Sequence, residues 1–305
     1  MDLVAVWAVI VFVFVCEENQ TVQIGTGLPN QVRNVRPDLI PAWAARAEQA
    51  GFSTLTTVGR YAYPGVSDTV ALAAAAGATS TIGLLSAVML APTWPGSLLA
   101  KELAGIDGVS GGRLRVGLGV GIRPDDFVAD GFGLAGRGAR LERDLVTFRE
   151  VWAGKEVGGG PNPAVPPGTR EIPLLFGGWA PAVMDRMARW GEGYIGASLP
   201  APAVAPSFDT AREAWKRAGR EGSPRLVALA YYALDDPEAG KRNIYDYYSG
   251  AGDEFATMIS SAVCGSAEAV RAAISTFEDI GADEIMFNPA TTDPDEITRL
   301  ADIVF

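Results

Sequence analysis

Three glycines at alternate positions, Gly117, Gly119 and Gly121, end a short apolar run that starts after the tight Ser110-Gly111-Gly112 turn and stops at Pro124. With no side chains on one face, such a segment lets another backbone or a flat ligand approach closely. A dinucleotide fingerprint would need a further glycine at 122 and a helix opening at once. Ile122 stands there instead, and Pro124-Asp125-Asp126 reads as a loop. A second glycine site, Gly177-Gly178-Trp179-Ala180-Pro181, runs from a strand end into a helix start. Free N–H groups at a helix N-terminus favour an anion, although a plain turn is the alternative reading. Arg140, at the start of its own helix, could add a forked bond to the same anion, or could be solvated beside Glu142 and Arg143.

What is missing narrows the chemistry further. The chain has no histidine, which removes the commonest metal ligand and the usual general base together. Its two cysteines, Cys16 and Cys264, are too few and too far apart for a disulfide framework or a zinc site. No metal site and a reduced, cytoplasmic protein are the expectation. A net charge of -11 argues against a nucleic-acid partner, which would need a surplus of Lys and Arg against phosphates. The basic residues are mostly arginine, the side chain suited to forked recognition of single phosphates.

The stretch from Leu3 to Val15 is unbroken apolar sequence. It is too short for a bilayer span, which takes about 20 residues, and it lacks the positive flank and small-residue cleavage site of a secretory signal. No membrane association is expected. Residues 1–21 therefore read as an apolar extension, with three explanations open: an extra strand or partner-contact segment, a weak targeting signal, or a start codon placed too far upstream, which is preferred.

The glycine and arginine sites need elements to hold them, and regular architecture begins at Val22. Alternating and short apolar runs predict strands over 22–28, 53–58, 81–90, 113–120, 172–176, 194–197, 225–233 and 284–287. Between and after them, stripes at helical spacing bounded by Pro and Gly predict helices over 37–51, 67–78, 96–109, 140–153, 181–191, 210–218, 267–281 and 295–304. Eight strand–helix alternations over 22–305, read as one domain, favour a closed (β/α)8 TIM barrel over an open sheet. Two long connections, 154–169 and 235–264, interrupt the rhythm, and Tyr245, Tyr247 and Tyr248 make the second one expected to pack on something.

In such a barrel the active site lies at the C-terminal ends of the strands. Those ends carry Asn30, Arg60 and Tyr61, Ala87 and Val88, Gly119 to Arg123, Gly177 to Trp179, Ser198, Tyr231, Tyr232 and Asn288. The set is poor in carboxylates and suits a planar, anionic cofactor that brings its own reactivity. A sugar isomerase barrel would want carboxylate, lysine or metal ligands there. Trp94, Trp179, Tyr231 and Tyr232 are candidate walls for an apolar or aromatic small-molecule organic substrate.

Several runs, in this order, resemble the bacterial luciferase-like flavin-dependent oxidoreductases. They are Gly25-Thr26-Gly27-Leu28-Pro29; Ser110-Gly111-Gly112-Arg113-Leu114-Arg115-Val116-Gly117; Gly177-Gly178 followed by Met187-Ala188-Arg189-Trp190-Gly191-Glu192-Gly193; and Gly281-Ala282-Asp283-Glu284. The resemblance implies a barrel binding reduced FMN, or an 8-hydroxy-5-deazaflavin coenzyme, in its mouth. It implies cofactor contacts from Val120, Gly121 and Ile122, with Gly119 as bare backbone behind them. It places Arg140 and, across from it, Gly177, Gly178, Trp179 and Ala180 at the phosphate, and a non-prolyl cis peptide at Ala87-Val88. The activity it implies is monooxygenation with FMN supplied by a separate flavin reductase. A deazaflavin-dependent dehydrogenase passing hydride without oxygen, and a non-catalytic flavin-binding barrel, stay open beside it. Relatives often form homodimers. Many members carry a histidine after the second strand, where this chain has Arg60-Tyr61, so proton transfer falls to Tyr61, another tyrosine, a carboxylate or solvent, with Arg60 beside it.

Overall fold

The computed structural model describes residues 22–128 and 131–305. The apolar extension and Cys16 lie outside the described residues. In chain order the elements are β1 (Gln23–Gly27), α1 (Leu39–Gln49), β2 (Thr54–Thr57), α2 (Asp68–Ala78), β3 (Gly83–Leu90), α3 (Gly96–Ser110), β4 (Leu114–Gly119), the one-turn α4 (Asp125–Val128) and α5 (Arg137–Trp152). There follow β5 (Leu174–Gly177), α6 (Pro181–Trp190), β6 (Gly193–Ile195), α7 (Ala201–Arg217), β7 (Arg225–Tyr232), α8 (Pro237–Ser249), α9 (Asp253–Ser261), α10 (Ala267–Asp279), β8 (Glu284–Pro289) and α11 (Glu296–Val304). The eight strands pair in sequence order, all parallel, and β1 closes the barrel against β8 with Gln23 beside Glu284 and Thr26 beside Phe287.

Parallel strands covered on both faces are apolar at consecutive positions, and β7 shows it. Its Val227 and Leu229 join Leu85, Leu175, Ile195 and Met286 in the inner core, while Leu226 and Ala228 join the outer core under the helices. Helix stripes complete that outer layer: Leu141, Leu145, Phe148 and Trp152 of α5 are all buried. At the closed end, Glu284 accepts from Arg225 Nη2 and Ser53 Oγ, each at 2.5 Å. Arg113 donates to Ser110, Ile82, Ala76 and Thr79 carbonyls and to the Thr79 hydroxyl, which holds the start of β4 against α2 and β3.

The expected strands and barrel are all present, and the helices depart from expectation chiefly at the start of α7, at the start of α5 and in the 235–264 connection. Helix α7 begins at Ala201 rather than 210, because Ala201, Val204, Phe208, Ala211 and Trp215 form one buried stripe that carries the helix through Pro206. Helix α5 begins at Arg137, one turn before the expected residue 140. The 235–264 connection is two helices. Asp236 caps α8 by accepting from Ala239 N, and Pro237 fills its first position. After α9 the chain returns to the barrel, with Cys264 N donating to the Tyr231 carbonyl at 2.8 Å.

Candidate active site

The mouth of the barrel takes its shape from a slip in one strand. The β3–β4 register shifts between Ser86 and Met89, and the Ala87-Val88 peptide within that interval is cis. The Val88 side chain then lies over the glycines of β4 and β5. A Cβ on Gly119 would stand 2.7 Å from Val88 Cγ2, and one on Gly177 would stand 2.9 Å from Val88 Cγ1. At Gly117 a Cβ would overlap the Ser86 carbonyl and the Ile195 side chain. The inner face of Gly117 is thus filled by protein, and only Gly119 and Gly121 of the alternating trio present backbone to the cavity.

That cavity has a volume of about 440 Å³, within the range of small-molecule and cofactor sites. Its floor is Ala87, Val88, Ile195 and Leu229, and one side is bare or nearly bare backbone from Gly119 to Gly121 and at Gly177 and Gly178. The opposite wall comes from α8 and α9. There Phe255 of α9 and Tyr248 and Tyr247 of α8 stand edge to face in succession, and Trp179 from the β5–α6 loop and Tyr63 from the loop after β2 extend the row at its two ends, with neighbouring ring centroids 5.0–5.8 Å apart. Tyr231 and Tyr248 share a hydroxyl contact of 3.0 Å, and burial pushes the Tyr231 and Tyr247 hydroxyls upward, so both stay protonated.

Of the residues expected at the site, Arg60, Ala87, Val88, Gly119, Val120, Gly121, Ile122, Gly177, Gly178, Trp179 and Ala180 all line this cavity. Tyr61 and Arg140 do not. Tyr61 follows the last strand residue by enough to turn outward, and it is 55% exposed. Arg140 donates to the Phe132 and Gly133 carbonyls and stacks on the Phe132 ring, which turns it toward the loop before α5. Because α5 starts a turn early, Arg137 reaches the cavity instead, with Nε on the Gly121 carbonyl at 2.9 Å and Nη1 on the Leu134 carbonyl at 3.2 Å. Arg60 lines the wall with its charge already engaged, by Asp125 at 2.6 Å and by Asp126 at 3.4 Å. Asp126 in turn accepts from Ala62 N and fixes the loop after β2.

Sequence reasoning placed Arg123 among the strand-end residues, where it does line the cavity, but did not single out Arg137, Phe255 or Asp68. Asp68 opens α2 directly beneath Gly59, where a Cβ would overlap its carboxylate. Burial pushes its carboxyl up to about 6, against the opposing pull of the Thr57 and Asn30 side chains. The position of Asp68, behind the end of β2, makes it a carboxyl that changes charge near the mouth in a chain that lacks histidine.

The site can therefore hold a flat group against backbone, with an anionic tail toward Arg137 and the N-terminus of α6, under an aromatic wall. The profile of the luciferase-like monooxygenase family matches residues 11–261. Relatives from Mycobacterium tuberculosis and Mycobacterium bovis are 30–32% identical over 48–55% of this chain, and the match spans only 61–62% of their own length. Among solved structures, the monooxygenase RslO1 from Streptomyces bottropensis is similar with a TM-score of 0.75 at 24% identity, covering 92% of this chain and 97% of that one. An F420-dependent secondary alcohol dehydrogenase bound to an F420-acetone adduct aligns with a TM-score of 0.74 at 16% identity, over 93% and 98% of the two chains. The FMN-bound oxygenating constituent of 3,6-diketocamphane monooxygenase from Pseudomonas putida, a type II Baeyer-Villiger enzyme, aligns at 0.66 and 16% identity, over 87% and 91%. At these identities the structural likenesses speak for the barrel. The profile match covers most of the chain, and on that ground the protein belongs to the luciferase-like monooxygenase family.

Proposed function

We propose that this protein is a flavin-dependent oxidoreductase that uses reduced FMN and oxygen to oxygenate a small organic substrate, with the reduced flavin delivered by a separate reductase. The observation that carries the reading is the cavity itself. Two glycine-rich strand ends meet under Val88, Arg137 and the start of α6 lie along the same side, and the apolar floor continues into the barrel. These residues fit a flavin: the backbone of Gly119 to Ile122 and of Gly177 to Ala180 would flank its tail, Arg137 would hold its phosphate, and Val88 would support the ring. When bound, the flavin supplies the electrons that activate oxygen.

The chain's own residues supply enclosure, position and proton control. Leu229, Ile195, Phe255 and Ile259 keep water from the reacting face. Tyr248, whose hydroxyl lies 3.0 Å from that of Tyr231, offers a hydroxyl at the wall that can donate a hydrogen bond. Tyr61, exposed at the rim, could exchange protons only once a ligand or loop brought it inward.

A second reading is a deazaflavin-dependent dehydrogenase, supported by a likeness to the F420-dependent enzyme that matches the likeness to RslO1 in extent. One titration separates the two. Purified protein is titrated with reduced FMN and with the reduced deazaflavin, under nitrogen and under air. Tight FMN binding with substrate-dependent oxygen uptake supports the monooxygenase. Tight deazaflavin binding without oxygen uptake overturns it in favour of the dehydrogenase.

A further inference from the structure

The cavity wall carries more positive charge than the flavin reading uses. Among the described residues its charged members are Arg60, Arg123, Arg137 and Asp126, three cations against one anion, in a chain whose net charge is -11. Arg60 is neutralised by Asp125 and Asp126. Arg137 lies on the α5 side, where the proposed phosphate site is. Arg123 is left over. It is only 8% exposed, its Nε has no hydrogen-bond partner, and among the described residues no carboxylate forms an ion pair with it. It turns away from α5 toward α8, its guanidinium 5.2 Å from the Tyr247 ring centroid and 5.4 Å from that of Tyr248.

Aromatic faces offset part of the cost of burying a guanidinium, but they do not pair its charge with an anion. A buried cation without an anion is costly unless something arrives to pair with it. The surface beside it is apolar and ring-shaped: Tyr248, Phe255 and Trp179 continue from Arg123 along the outer wall, facing Val88 and Leu229.

We propose that Arg123 is the substrate anchor of this site, and that the substrate is an aromatic or similarly flat apolar acid whose carboxylate pairs with the Arg123 guanidinium while its body lies along the Tyr248, Phe255 and Trp179 wall. The assignment rests on the flavin reading only in reserving Arg137 for the cofactor. It divides the two arginines by function: Arg137 recognises the cofactor's tail and Arg123 recognises the substrate's charge. The planar fork of arginine, held between two rings, is preorganised for a carboxylate.

The test uses 2-naphthoate and its uncharged isostere 2-naphthamide as probes, with binding to the purified full chain followed by calorimetry and by tryptophan fluorescence. Both are measured with and without bound flavin. The wild type is expected to prefer the acid by about tenfold or more. Arg123→Met should erase that preference, and Arg123→Lys should keep part of it. FMN and deazaflavin affinities should stay within about twofold of wild type in both variants, since the cofactor does not use this side chain. Equal binding of acid and amide by the wild type would overturn the proposal without any variant. So would a preference that survives in a folded Arg123→Met protein. A comparable loss of cofactor affinity in Arg123→Met would assign the anion to the cofactor's own tail. If neither flavin binds the wild type at all, the cofactor reading fails, and the acid-to-amide ratio still judges Arg123 by itself.

Discussion

Val88 and Gly119 occupy one van der Waals space across the β3–β4 pair: a Cβ on Gly119 would stand 2.7 Å from Val88 Cγ2, with the carbonyl of Gly177 at 3.9 Å behind it. Real side chains do not approach that closely, so the glycine is required by its neighbour before any ligand enters. The cavity floor and the bare strand are thus one construction. Gly119→Val should abolish flavin binding, and Gly119→Ala should weaken it by about tenfold while costing about 1–3 kcal/mol of stability through overpacking. Val88→Ala should restore much of both losses in the double variant, a coupling that a thermodynamic cycle of four proteins would measure. Additive losses would mean that the glycine serves the ligand alone.

The barrel was legible because its signals are local and repeated. Apolar runs closed by nearby Gly or Pro mark the strands, and stripes such as Leu141, Leu145 and Phe148 mark the eight helices that alternate with them. The backbone part of the site was legible for the same reason, since Gly119, Gly121, Gly177 and Gly178 announce strand ends. The charged part was not. Whether Arg137 or Arg140 reaches the cavity depends on where α5 starts, and one turn of helix reverses the answer. Arg123 and Tyr247 meet only because α8 folds back over the mouth, a long-range contact that neither residue's neighbours encode. The start of α8 was nonetheless written in Asp236-Pro237-Glu238, a cap followed by a first-turn proline and an acid.

Glu48 links α1 to the start of β3 through a single carboxylate oxygen, which accepts from Ser80 N, Thr81 N, Thr81 Oγ1 and Ile82 N at 2.6–3.0 Å. Partial burial opposes ionisation, but these four donors outweigh it and bring the carboxyl down to about 2. Its stabilisation is therefore complete above about pH 4.5 and is lost as the pH falls through about 2. Glu48→Gln should lower the melting temperature at pH 6 by about 2–4 °C, roughly one charged hydrogen bond's worth in a chain of this size. The gap between the two proteins should close in acid. A gap that stays constant from pH 6 to pH 2 would show that the oxygen's charge is irrelevant.

Asp68 has the opposite sign. Burial raises its carboxyl from 3.8 to about 6, so the folded protein holds a proton that the unfolded chain releases. Stability from this group is present at low pH and declines as the pH rises from about 4 to about 6. Asp68→Asn removes the ionisation and should be stabilising at pH 7.5, by at most roughly 2–3 kcal/mol. Below pH 4 it should be close to neutral. Denaturant unfolding of both proteins at the two pH values checks this, and a variant that is less stable at pH 7.5 would show that the ionised carboxylate has a partner that it needs.

Arg137 and Arg140 sit one helical turn apart, and the geometry gives them separable tasks. Arg137 spends Nε and Nη1 on the Gly121 and Leu134 carbonyls and keeps its remaining nitrogen for the cavity, whereas Arg140 has both terminal nitrogens on the Phe132 and Gly133 carbonyls. If the flavin phosphate is held on this side, the informative ratio is FMN affinity over riboflavin affinity, because riboflavin has the same ring and ribityl chain without the phosphate. Arg137→Met should cut that ratio by about tenfold or more, as expected for a charge-assisted bond to phosphate in a partly enclosed site. Riboflavin binding itself should change little. Arg140→Met should leave the ratio alone and instead loosen the loop before α5, costing about 1 kcal/mol and exposing Phe132 to faster proteolysis nearby. A fall in the ratio for Arg140→Met, with Arg137→Met unchanged, would mean that ligand binding rotates α5 and exchanges the two arginines.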